Sequence, residues 1–395
     1  NVEHHLAHTA SAYFASPWEY AAGFSLDGSG DFVTCMMTEC KGPSISIKKR
    51  IFVPHSLGTL YTAICEFIGY GKYGDEGKVM GLAPLGENNY SALIREMLSL
   101  TPNGIRLNSK YLMPFGSDEG MKINTDGTVS ISRHYSQKLT TKLGPPRLPN
   151  TSISQRDKDL ACSLQLGFET GYLHLLNILH SKVTSEHLVM AGGCTLNSVA
   201  NGKIFDKTPF SSTFIQPAAG DDGLALGSAL YVSNVILNEG RRWTMENSFL
   251  GPEYSSHQIR TALDEKNVTY EEFSQELLLK KTVDEIAASK VVGWFQGCME
   301  WGPRALGNRS ILAHPGSSGM KDILNARIKH REEFRPFAPA VLSERQSEIF
   351  ENAHPSPHML HVYKIRSNWQ ERLQAVNHVD NTGRLQTVSR ASNPL

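Results

Sequence analysis

Cations are concentrated in one short segment of this chain, and their neighbours indicate what they could bind. Residues 298–312 read CMEWGPRALGNRSIL, and KHR (329–331) and FRPFAP (334–339) follow soon after. Guanidinium groups match phosphate oxygens in pairs, and an ammonium group adds a compact charge. Set among glycines, prolines and aromatics, the following side chains predict a pocket for a phosphorylated substrate: Arg304, Arg309, Ser310, Lys329, Arg331 and Arg335. Lys329 taken alone also fits the general preference for cations at a helix C-terminus.

A second group of residues has the composition of a metal site. His4 and His8 are four residues apart, so a helix over 1–16 would place both imidazoles on one face. Asp27 and Asp221 follow two predicted strands, with Asp222 as the alternative to Asp221. Two histidines and two aspartates suit iron, manganese or zinc better than calcium. A histidine pair by itself is also compatible with surface decoration, and the two aspartates are what favours a metal.

Three glycine-rich segments could approach phosphate or ribose groups. The candidates are Gly28 and Gly30 in DGSGD, Gly192 and Gly193 with Asn197 and Asn201, and Lys78 in YGKYGDEGK. Glycines let backbone N–H groups come close to an anion. Each pattern has a structural alternative: a hairpin turn for DGSGD, tight strand–helix packing for Gly192, and a solvated loop for Lys78. A last polar cluster contains His378 and Arg384, and it is either a substrate contact or a tail loop.

The bulk properties restrict the class of protein. A length of 395 residues favours two domains. The net charge of +0 provides no overall field for a nucleic acid or an anionic membrane. The six cysteines contain no CxxC pair and no disulfide pattern, so we expect a reduced, cytoplasmic protein. No apolar run reaches the roughly 18 residues of a membrane-spanning helix, and nothing indicates an oligomeric state.

The elements that must position the candidate residues alternate between strands and helices. The predicted strands are 20–26, 31–38, 44–52, 187–191, 213–216, 268–273 and 290–295, and the predicted helices are 1–16, 58–68, 157–182, 256–265, 282–289 and one that ends near 237. Strands followed by glycine turns and helices predict an α/β fold. Residues 100–155 are polar and weakly periodic, so we expect an insertion or lid there. A break near 238–256 divides the chain into predicted domains 1–245 and 246–395.

Taken together, the motifs resemble the O-carbamoyltransferase family that tailors nodulation factors and antibiotics. The resemblance rests on HHLAHTASAY, SLDGSGD, GDEGKVMGLAP, GGCTLN, GDDGLALGSAL, EWGPRALGNRSIL, KHREEFRPFAP and HVDNTGRLQTV, in this order. It implies an actin-like ATPase (RNase H-like) domain over 1–245 and a YrdC-like domain over 246–395. It also implies that the first domain lacks its N-terminal part and the second its C-terminal part, so we expect a fragment of a longer enzyme.

The resemblance further implies a reaction. ATP and carbamoyl phosphate would form carbamoyl adenylate in the second domain, and a hydroxyl of a sugar or antibiotic would accept the carbamoyl group in the first. Lys329 and Arg331 would match the Lys-x-Arg pair of YrdC-type sites, and Arg304 and Arg335 would be their phosphate-binding neighbours. The implied cofactors are ATP and a divalent metal, with iron in the first place and manganese, zinc or magnesium as alternatives. The implied metal ligands are His4, His8, Asp27 and Asp221.

Two other functions stay open. A relative of the tRNA threonylcarbamoylation enzymes would share both modules, although the neutral charge and the lack of a basic stripe count against tRNA as a partner. A non-catalytic nucleotide-binding regulator would keep nucleotide affinity without turnover. The density of cations between positions 304 and 335 disfavours the regulator. The expected partners are therefore small molecules, and neither a nucleic acid nor a membrane is expected.

Overall fold

The computed structural model describes residues 1–113, 122–123, 125, 129–130 and 133–393. The chain forms two compact units, Asn1–Met245 and Glu246–Leu395. The catalytic roles predicted for the two halves of the chain are not decided by this division and stay predictions. No helix in the described part of the chain combines the length and the apolar character that crossing a bilayer requires.

The first unit contains nine helices and nine strands among its described residues. The helices are α1 (His4–Tyr13), α2 (Leu57–Phe67), α3 (Glu76–Leu82), α4 (Ser91–Met97), α5 (Gln137–Leu143), α6 (Gln155–Lys182), α7 (Ser198–Asn201), α8 (Ile204–Lys207) and α9 (Leu224–Tyr231). The strands are β1 (Tyr20–Gly30), β2 (Val33–Lys41), β3 (Ser44–Phe52), β4 (Leu98–Thr101), β5 (Gly104–Leu107), β6 (Lys122–Ile123), β7 (Val129–Ser130), β8 (His187–Ala191) and β9 (Ser212–Ile215). The α/β class expected from the sequence is confirmed.

A five-stranded sheet organises this unit, in the order β3-β2-β1-β8-β9. Strands β1, β2 and β3 form an antiparallel meander, whereas β8 and β9 run parallel to β1. This order agrees with the RNase H-like core that the family resemblance implies. Since parallel strands end at the same edge of a sheet, the residues that follow β8 and β9 come to the edge where β1 ends.

Helix α1 has few large apolar residues, yet it is almost wholly buried. It lies against β1, β8 and α9, and His5, His8 and Thr9 are inaccessible to solvent. The polar groups are compensated within the helix or by the sheet, as where the Thr9 hydroxyl donates to the carbonyl of His5 at 2.9 Å. A Cβ atom on Gly227 would come within 1.9 Å of the carbonyl oxygen of Ala7, so glycine is what lets α9 pack directly on α1.

The segment 27–31 differs from the predicted turn. Strand β1 continues through Gly30, which pairs with Val33, and the reversal occurs at Asp31 and Phe32, both at positive φ. The pairing register shifts between Leu26 and Gly30, so the strand bulges in the stretch that contains Asp27. Bulges re-aim side chains near functional sites, and here the bulge turns part of the expected loop into the end of a strand.

The structure describes part of the segment 100–155, which the sequence predicts to be an insertion or lid. Residues 114–121, 124, 126–128 and 131–132 lie outside the described part of the chain. Among the rest, Ile105, Tyr111, Leu112 and Leu139 are buried. The Nε of Arg147 donates to the carbonyl of Ile68 at 2.6 Å, which ties the segment to the residues after α2. Several described residues of this segment therefore pack into the first unit, and its assignment as an insertion stays a prediction.

The second unit carries smaller sheets. Its helices are α10 (Ser256–Glu265), α11 (Gln275–Ala287), α12 (Met320–Ile323), α13 (Gln346–Ile349) and α14 (Ser367–Gln370), and its strands are β10 (Val292–Phe295), β11 (Arg309–Leu312), β12 (Ala340–Leu342), β13 (His361–Lys364) and β14 (Thr382–Val388). Strands β10 and β11 form an antiparallel pair, and β14 lies between a parallel β12 and an antiparallel β13. Phe350, Ile365 and Leu385 are buried in an apolar cluster against this three-stranded sheet.

Two predicted elements of the second unit are wrong. Residues 268–273 form no strand, and the next helix begins at Gln275 instead of 282. The early start has a local cause, because the Ser274 side chain accepts a hydrogen bond from the backbone N–H of Leu277 and caps the helix. Helix α12 continues as a π-helical turn over Leu324–Lys329, which leads directly into the KHR segment.

Candidate metal centre and candidate anion site

The end of β1 and the start of α1 bring three of the predicted metal ligands together. The Nε2 of His8 lies 3.0 Å from Oδ2 of Asp27, and the Nε2 of His4 lies 3.3 Å from the same oxygen. The two imidazole nitrogens are 3.1 Å apart. The start of α1 is anchored by the sheet, since the backbone N–H of His4 donates to Oδ2 of Asp31 at 2.9 Å.

Asp221 completes the group from the turn that follows β9. Its Oδ1 lies 3.7 Å from Nε2 of His4 and 3.6 Å from Nε2 of His8. The four donor atoms all lie within 4.8 Å of one another. His8 is fully buried, whereas the Asp221 side chain is 56% exposed, so the group opens to solvent on the Asp221 side.

This arrangement fits a divalent metal ion. Two imidazole nitrogens and a carboxylate oxygen at about 3 Å carry lone pairs that repel one another unless a cation or a shared proton lies between them. A set of two nitrogen and two oxygen donors is typical of iron, manganese or zinc sites. The structure therefore brings together all four residues predicted as ligands, and Asp221 rather than Asp222 contributes the fourth donor atom.

The cluster also determines how its members titrate. Burial alone would raise the pKa of Asp27, but the hydrogen bonds from His4, His8 and the N–H of Gly28 outweigh burial and lower that pKa far below the usual range. Burial alone would lower the pKa of His8, and the hydrogen bonds to Asp221 and Asp27 outweigh it and raise the pKa. A cation, whether a proton or a metal ion, is thus strongly favoured between these side chains.

His5, the third histidine of α1, does not join the cluster. Its Nδ1 lies 2.7 Å from the Ser25 hydroxyl and its Nε2 lies 2.9 Å from the carbonyl oxygen of Val33. Burial lowers the pKa of His5 to about 4, although the hydrogen bond to Val33 opposes this shift. A neutral imidazole with both ring nitrogens in hydrogen bonds therefore anchors α1 to the meander.

The predicted glycine candidates surround the metal cluster. A Cβ atom on Gly30 would come within 2.1 Å of the His4 ring, so only glycine leaves room for that ring. Gly192 has φ +97°, and a Cβ there would come within 2.2 Å of the carbonyl oxygen of Leu26. Gly193 faces Asp27, whose Oδ1 accepts from the N–H of Gly28 at 2.7 Å. These glycines allow close packing around Asp27, and their predicted contact with a nucleotide stays a prediction.

The two predicted ribose-binding amides have structural partners. Asn197 caps α7 through the backbone N–H of Ala200 at 3.0 Å, and its amide group is also bonded to Gln165. Asn201 is fully buried, donates to the carbonyl of Thr195 at 2.7 Å and accepts from the hydroxyl of Tyr172 at 2.7 Å. A ribose hydroxyl would have to displace these contacts, so the structure does not support the direct role that the sequence suggested.

Lys78 lies in α3 instead of a loop. Its Nζ is 2.8 Å from Oδ1 of Asp75 and lies over the ring of Tyr70.

Tyr73, at the tip of the turn before α3, was not singled out from the sequence. Its ring is 75% exposed, and burial of the hydroxyl together with the charges of Asp221 and Asp27 raises its pKa to about 12. The only signal in the sequence was an aromatic residue between two glycines.

Four arginines of the second unit form the candidate anion site. Burial, and after it the neighbouring charges of Arg304, Arg331 and Arg335, lower the pKa of Arg384 to about 9. Burial likewise lowers the pKa of Arg304 to about 10. Arg331 packs over the ring of Phe337, and its Nε donates to Oδ1 of Asn325 at 2.7 Å. We call these four side chains the arginine cluster, and it contains three of the four predicted catalytic residues together with Arg384.

Other predicted residues of the second unit lie differently. Lys329 is exposed at the end of the π-helical turn, and no described contact joins it to the arginine cluster. Arg309 donates through its guanidinium to four backbone carbonyls, among them those of Gln296 and Gly297. Ser310 accepts from the N–H of Gly307 at 2.9 Å. Arg309 and Ser310 therefore hold loops in place, and Arg309 has its Nη donors already engaged.

His378 and a second histidine complete the picture of this unit. His378 lies in the loop before β14, with Nδ1 3.8 Å from Oδ1 of Asp380. His358 was not singled out from the sequence. Burial, and to a smaller extent the charge of Arg304, lowers its pKa to about 4, which makes it a neutral imidazole near the arginine cluster. A lone histidine in a polar loop gives no sequence signal of such a position.

Two family profiles and several related proteins match this chain over most of its length. The family profile described as "Carbamoyltransferase N-terminus" matches residues 1–230, and the profile described as "Carbamoyltransferase C-terminus" matches residues 283–395. An uncharacterised protein of Synechocystis is 38% identical over 99% of this chain and 66% of its own length. Nodulation protein NolNO of Sinorhizobium fredii is 35% identical over 99% of this chain and 55% of its own length.

A further relative and a solved structure extend the comparison. Nodulation protein NolO of Bradyrhizobium diazoefficiens is 34% identical over 100% of this chain and 68% of its own length. The chain thus spans between 55% and 68% of the lengths of these three relatives. A crystal structure of full-length HypF in the phosphate- and nucleotide-bound form is similar at a TM-score of 0.30, with 13% identity over 62% of this chain and 44% of that chain. Similarity at that level carries no argument about fold or ligand.

Proposed function

This chain belongs to the carbamoyltransferase family, and we propose on that premise that the whole protein is an O-carbamoyltransferase that uses ATP and carbamoyl phosphate. The observation that carries the proposal is the arginine cluster. Arg304 and Arg384 are half-buried, and neither forms an ion pair with a carboxylate among the described residues. Within the cluster, Arg335 lies 3.7 Å from a carboxylate oxygen of Glu332. A site that holds such an excess of positive charge favours a ligand with several negative charges, and carbamoyl phosphate and ATP are such ligands.

In the second unit, the cluster would activate the carbamoyl group. Water first hydrolyses carbamoyl phosphate to carbamate and inorganic phosphate. A carbamate oxygen then attacks the α-phosphorus of ATP, and pyrophosphate leaves as the bond between the α-phosphorus and the bridging oxygen breaks. The product is carbamoyl adenylate. Negative charge grows on the transferred and leaving phosphate oxygens during this step, and preorganised guanidinium groups stabilise it without reorganisation. Arg331 is well suited to this role because Asn325 and Phe337 hold it in place.

The first unit would carry out the transfer to the acceptor. The acceptor hydroxyl attacks the carbamoyl carbon, AMP leaves, and the hydroxyl proton has to be removed. A divalent metal held by His4, His8, Asp27 and Asp221 supplies Lewis-acid chemistry when bound. The ligand set favours iron, with manganese, zinc or magnesium as alternatives. The acceptor is a hydroxyl of a sugar or natural product, and the exposed Asp221 side of the cluster is where such a molecule would enter.

Isotope exchange between ATP and pyrophosphate in the intact protein tests the proposal. We expect exchange that requires carbamoyl phosphate and is lost in Arg304→Ala. Folded protein that exchanges no label with carbamoyl phosphate present would contradict the proposed function. Exchange without carbamoyl phosphate would show adenylation of a different acid and would contradict the assigned substrate.

A further inference from the structure

A carboxylate inside the cation-rich segment is not used as a counter-ion. The Oε1 atom of Glu300 accepts three backbone hydrogen bonds, from Leu306 at 2.7 Å, Asn308 at 2.9 Å and Arg309 at 3.1 Å. Burial would raise the pKa of Glu300, but these N–H groups outweigh burial and lower it, so the carboxylate is charged. Among the described residues, Glu300 forms no ion pair with an arginine. The negative charge of Glu300 instead stabilises the loop that begins with this residue and contains Arg304. We call this loop, residues 300–309, the Arg304 loop.

The three-stranded sheet holds the carbonyl group of Leu306, the residue whose N–H donates to Glu300. The buried amide of Gln386 donates from Nε2 to the carbonyl oxygen of Leu306 at 2.7 Å. Gln386 and Arg384 are two residues apart on β14, so their side chains leave the strand on the same face. Leu306, which is itself buried, is therefore fixed through its N–H by Glu300 and through its carbonyl by Gln386, two residues after Arg304.

The arginines of the cluster repel one another, and a fixed loop keeps Arg304 in place against this repulsion. Arg304 and Arg384 are close enough for the charge of one to lower the pKa of the other. The Nε of Arg304 is buried and makes no hydrogen bond to any described residue. The described residues therefore supply no hydrogen bond to this Nε that would offset the repulsion from Arg384, and a flexible loop would relax by moving Arg304 away. Charge-assisted hydrogen bonds from several N–H groups to one carboxylate are strong enough to resist such a movement.

From these contacts we infer that Glu300 and Gln386 are positioning residues, which hold Arg304 beside Arg384 before the anion binds. This inference rests on the proposed function of the arginine cluster as an anion site. Neither Glu300 nor Gln386 contacts the anion itself. Their contribution is preorganisation: the anion meets an arginine cluster that is already assembled, and no binding energy is used to close the loop.

Binding of pyrophosphate and kinetics of the exchange reaction test this inference in the intact protein. The variants are Glu300→Ala, Glu300→Gln, which keeps one carbonyl oxygen as an acceptor, and Gln386→Leu. Glu344→Gln is the matched control, since Glu344 is exposed in a surface turn. We expect Glu300→Ala to raise the Kd for pyrophosphate about tenfold or more, and Glu300→Gln and Gln386→Leu by a smaller factor of about three. The KM for carbamoyl phosphate should follow the Kd, whereas kcat should change less.

The outcomes separate the inference from the proposed function. Wild-type protein that does not bind pyrophosphate would overturn the proposed anion site. Wild-type binding together with folded variants whose Kd lies within twofold of wild type would overturn the positioning role alone. If Glu300→Ala does not fold, Glu300→Gln and Gln386→Leu decide the question. A fall in kcat with unchanged Kd and KM would also contradict the inference, since preorganisation of the anion site acts on binding.

Discussion

The two candidate sites of this protein are built on opposite electrostatic principles. In the first unit, histidines and aspartates face one another, and each side chain favours the charged form of its neighbours, as Asp27 and His8 show. In the second unit, guanidinium groups face one another and each disfavours the charge of the next, as Arg384 shows. The first arrangement is complete with a single cation. The second remains under strain until an anion arrives, and it needs a rigid frame until then.

The largest expected effect is at the metal cluster, where Asp27→Asn should abolish metal binding. The Oδ2 of Asp27 lies nearer to both imidazoles, at 3.3 and 3.0 Å, than the Oδ1 of Asp221 does. Loss of this ligand should lower metal affinity by more than about 100-fold, since even changes to groups behind the ligands reach that size. Metal content after reconstitution with Fe²⁺, Mn²⁺ or Zn²⁺ measures this. Carbamoyl transfer should disappear, while pyrophosphate exchange in the second unit should persist.

Asp222→Asn is the matched control for that experiment. It lies next to Asp221 but outside the four-residue group, so the variant should retain the metal. Retention of metal in Asp27→Asn, or its loss in Asp222→Asn with Asp221 intact, would show that the ligand set is different.

The next effect in size concerns the arginine cluster. We expect Arg304→Ala to reduce pyrophosphate exchange by about 100-fold, the usual cost of removing one preorganised group that stabilises developing charge. The same change should not lower the thermal stability of the protein without ligand, because it relieves repulsion with Arg384. Arg345→Ala is the control, since Arg345 is exposed and pairs with Glu348. Equal exchange rates in Arg304→Ala and wild type would remove the cluster from the reaction.

A smaller effect concerns the response of the second unit to acid. Burial lowers the pKa of His361 to about 3, against 6.5 for an ordinary histidine. Below pH 6.5, His361 therefore binds a proton in the unfolded chain but not in the folded protein. The contribution of neutral His361 to the free energy of unfolding is fully present above pH 6.5 and falls as the pH is lowered toward 3. At pH 5 the loss from His361 amounts to about 2 kcal/mol.

Urea unfolding of His361→Asn at pH 5 and pH 7.5 measures this contribution. The difference in unfolding free energy between the two pH values should shrink by about 2 kcal/mol relative to wild type. His257→Asn, an exposed position in α10, should leave the difference unchanged. An unaltered pH dependence in His361→Asn would mean that this histidine does not resist protonation in the folded protein.

The smallest expected effect tests Lys78. The structure pairs Lys78 with Asp75, so Lys78→Ala should cost about 1 kcal/mol or less of stability, as for a partly exposed ion pair. Nucleotide affinity measured by calorimetry should stay within twofold of wild type. A tenfold loss of ATP affinity in Lys78→Ala would instead support the anion-binding role suggested by the glycine-rich sequence around it.

Much of the first site was determined by the sequence alone. The spacing of His4 and His8 requires a common helix face, and aspartates directly after apolar strands come to one sheet edge once the strands are parallel. Helical and strand periodicities are local properties, so the sequence predicts β3 and α10 with their observed bounds. The alternation of strands, glycine turns and helices likewise determined the α/β class.

Only the tertiary structure decided which candidates have other partners. Asn201, Arg309 and Lys78 have the residue types of ligand-binding groups, but each has partners within the protein. Asn201 accepts from Tyr172 and donates to Thr195, Arg309 donates to loop carbonyls, and Lys78 pairs with Asp75. A sequence lists the hydrogen-bonding capacity of each side chain but not which neighbour uses it, because that depends on contacts between distant segments. For the same reason the sequence does not predict the positioning role of Glu300 and Gln386, because their partners are backbone groups that leave no pattern in the sequence.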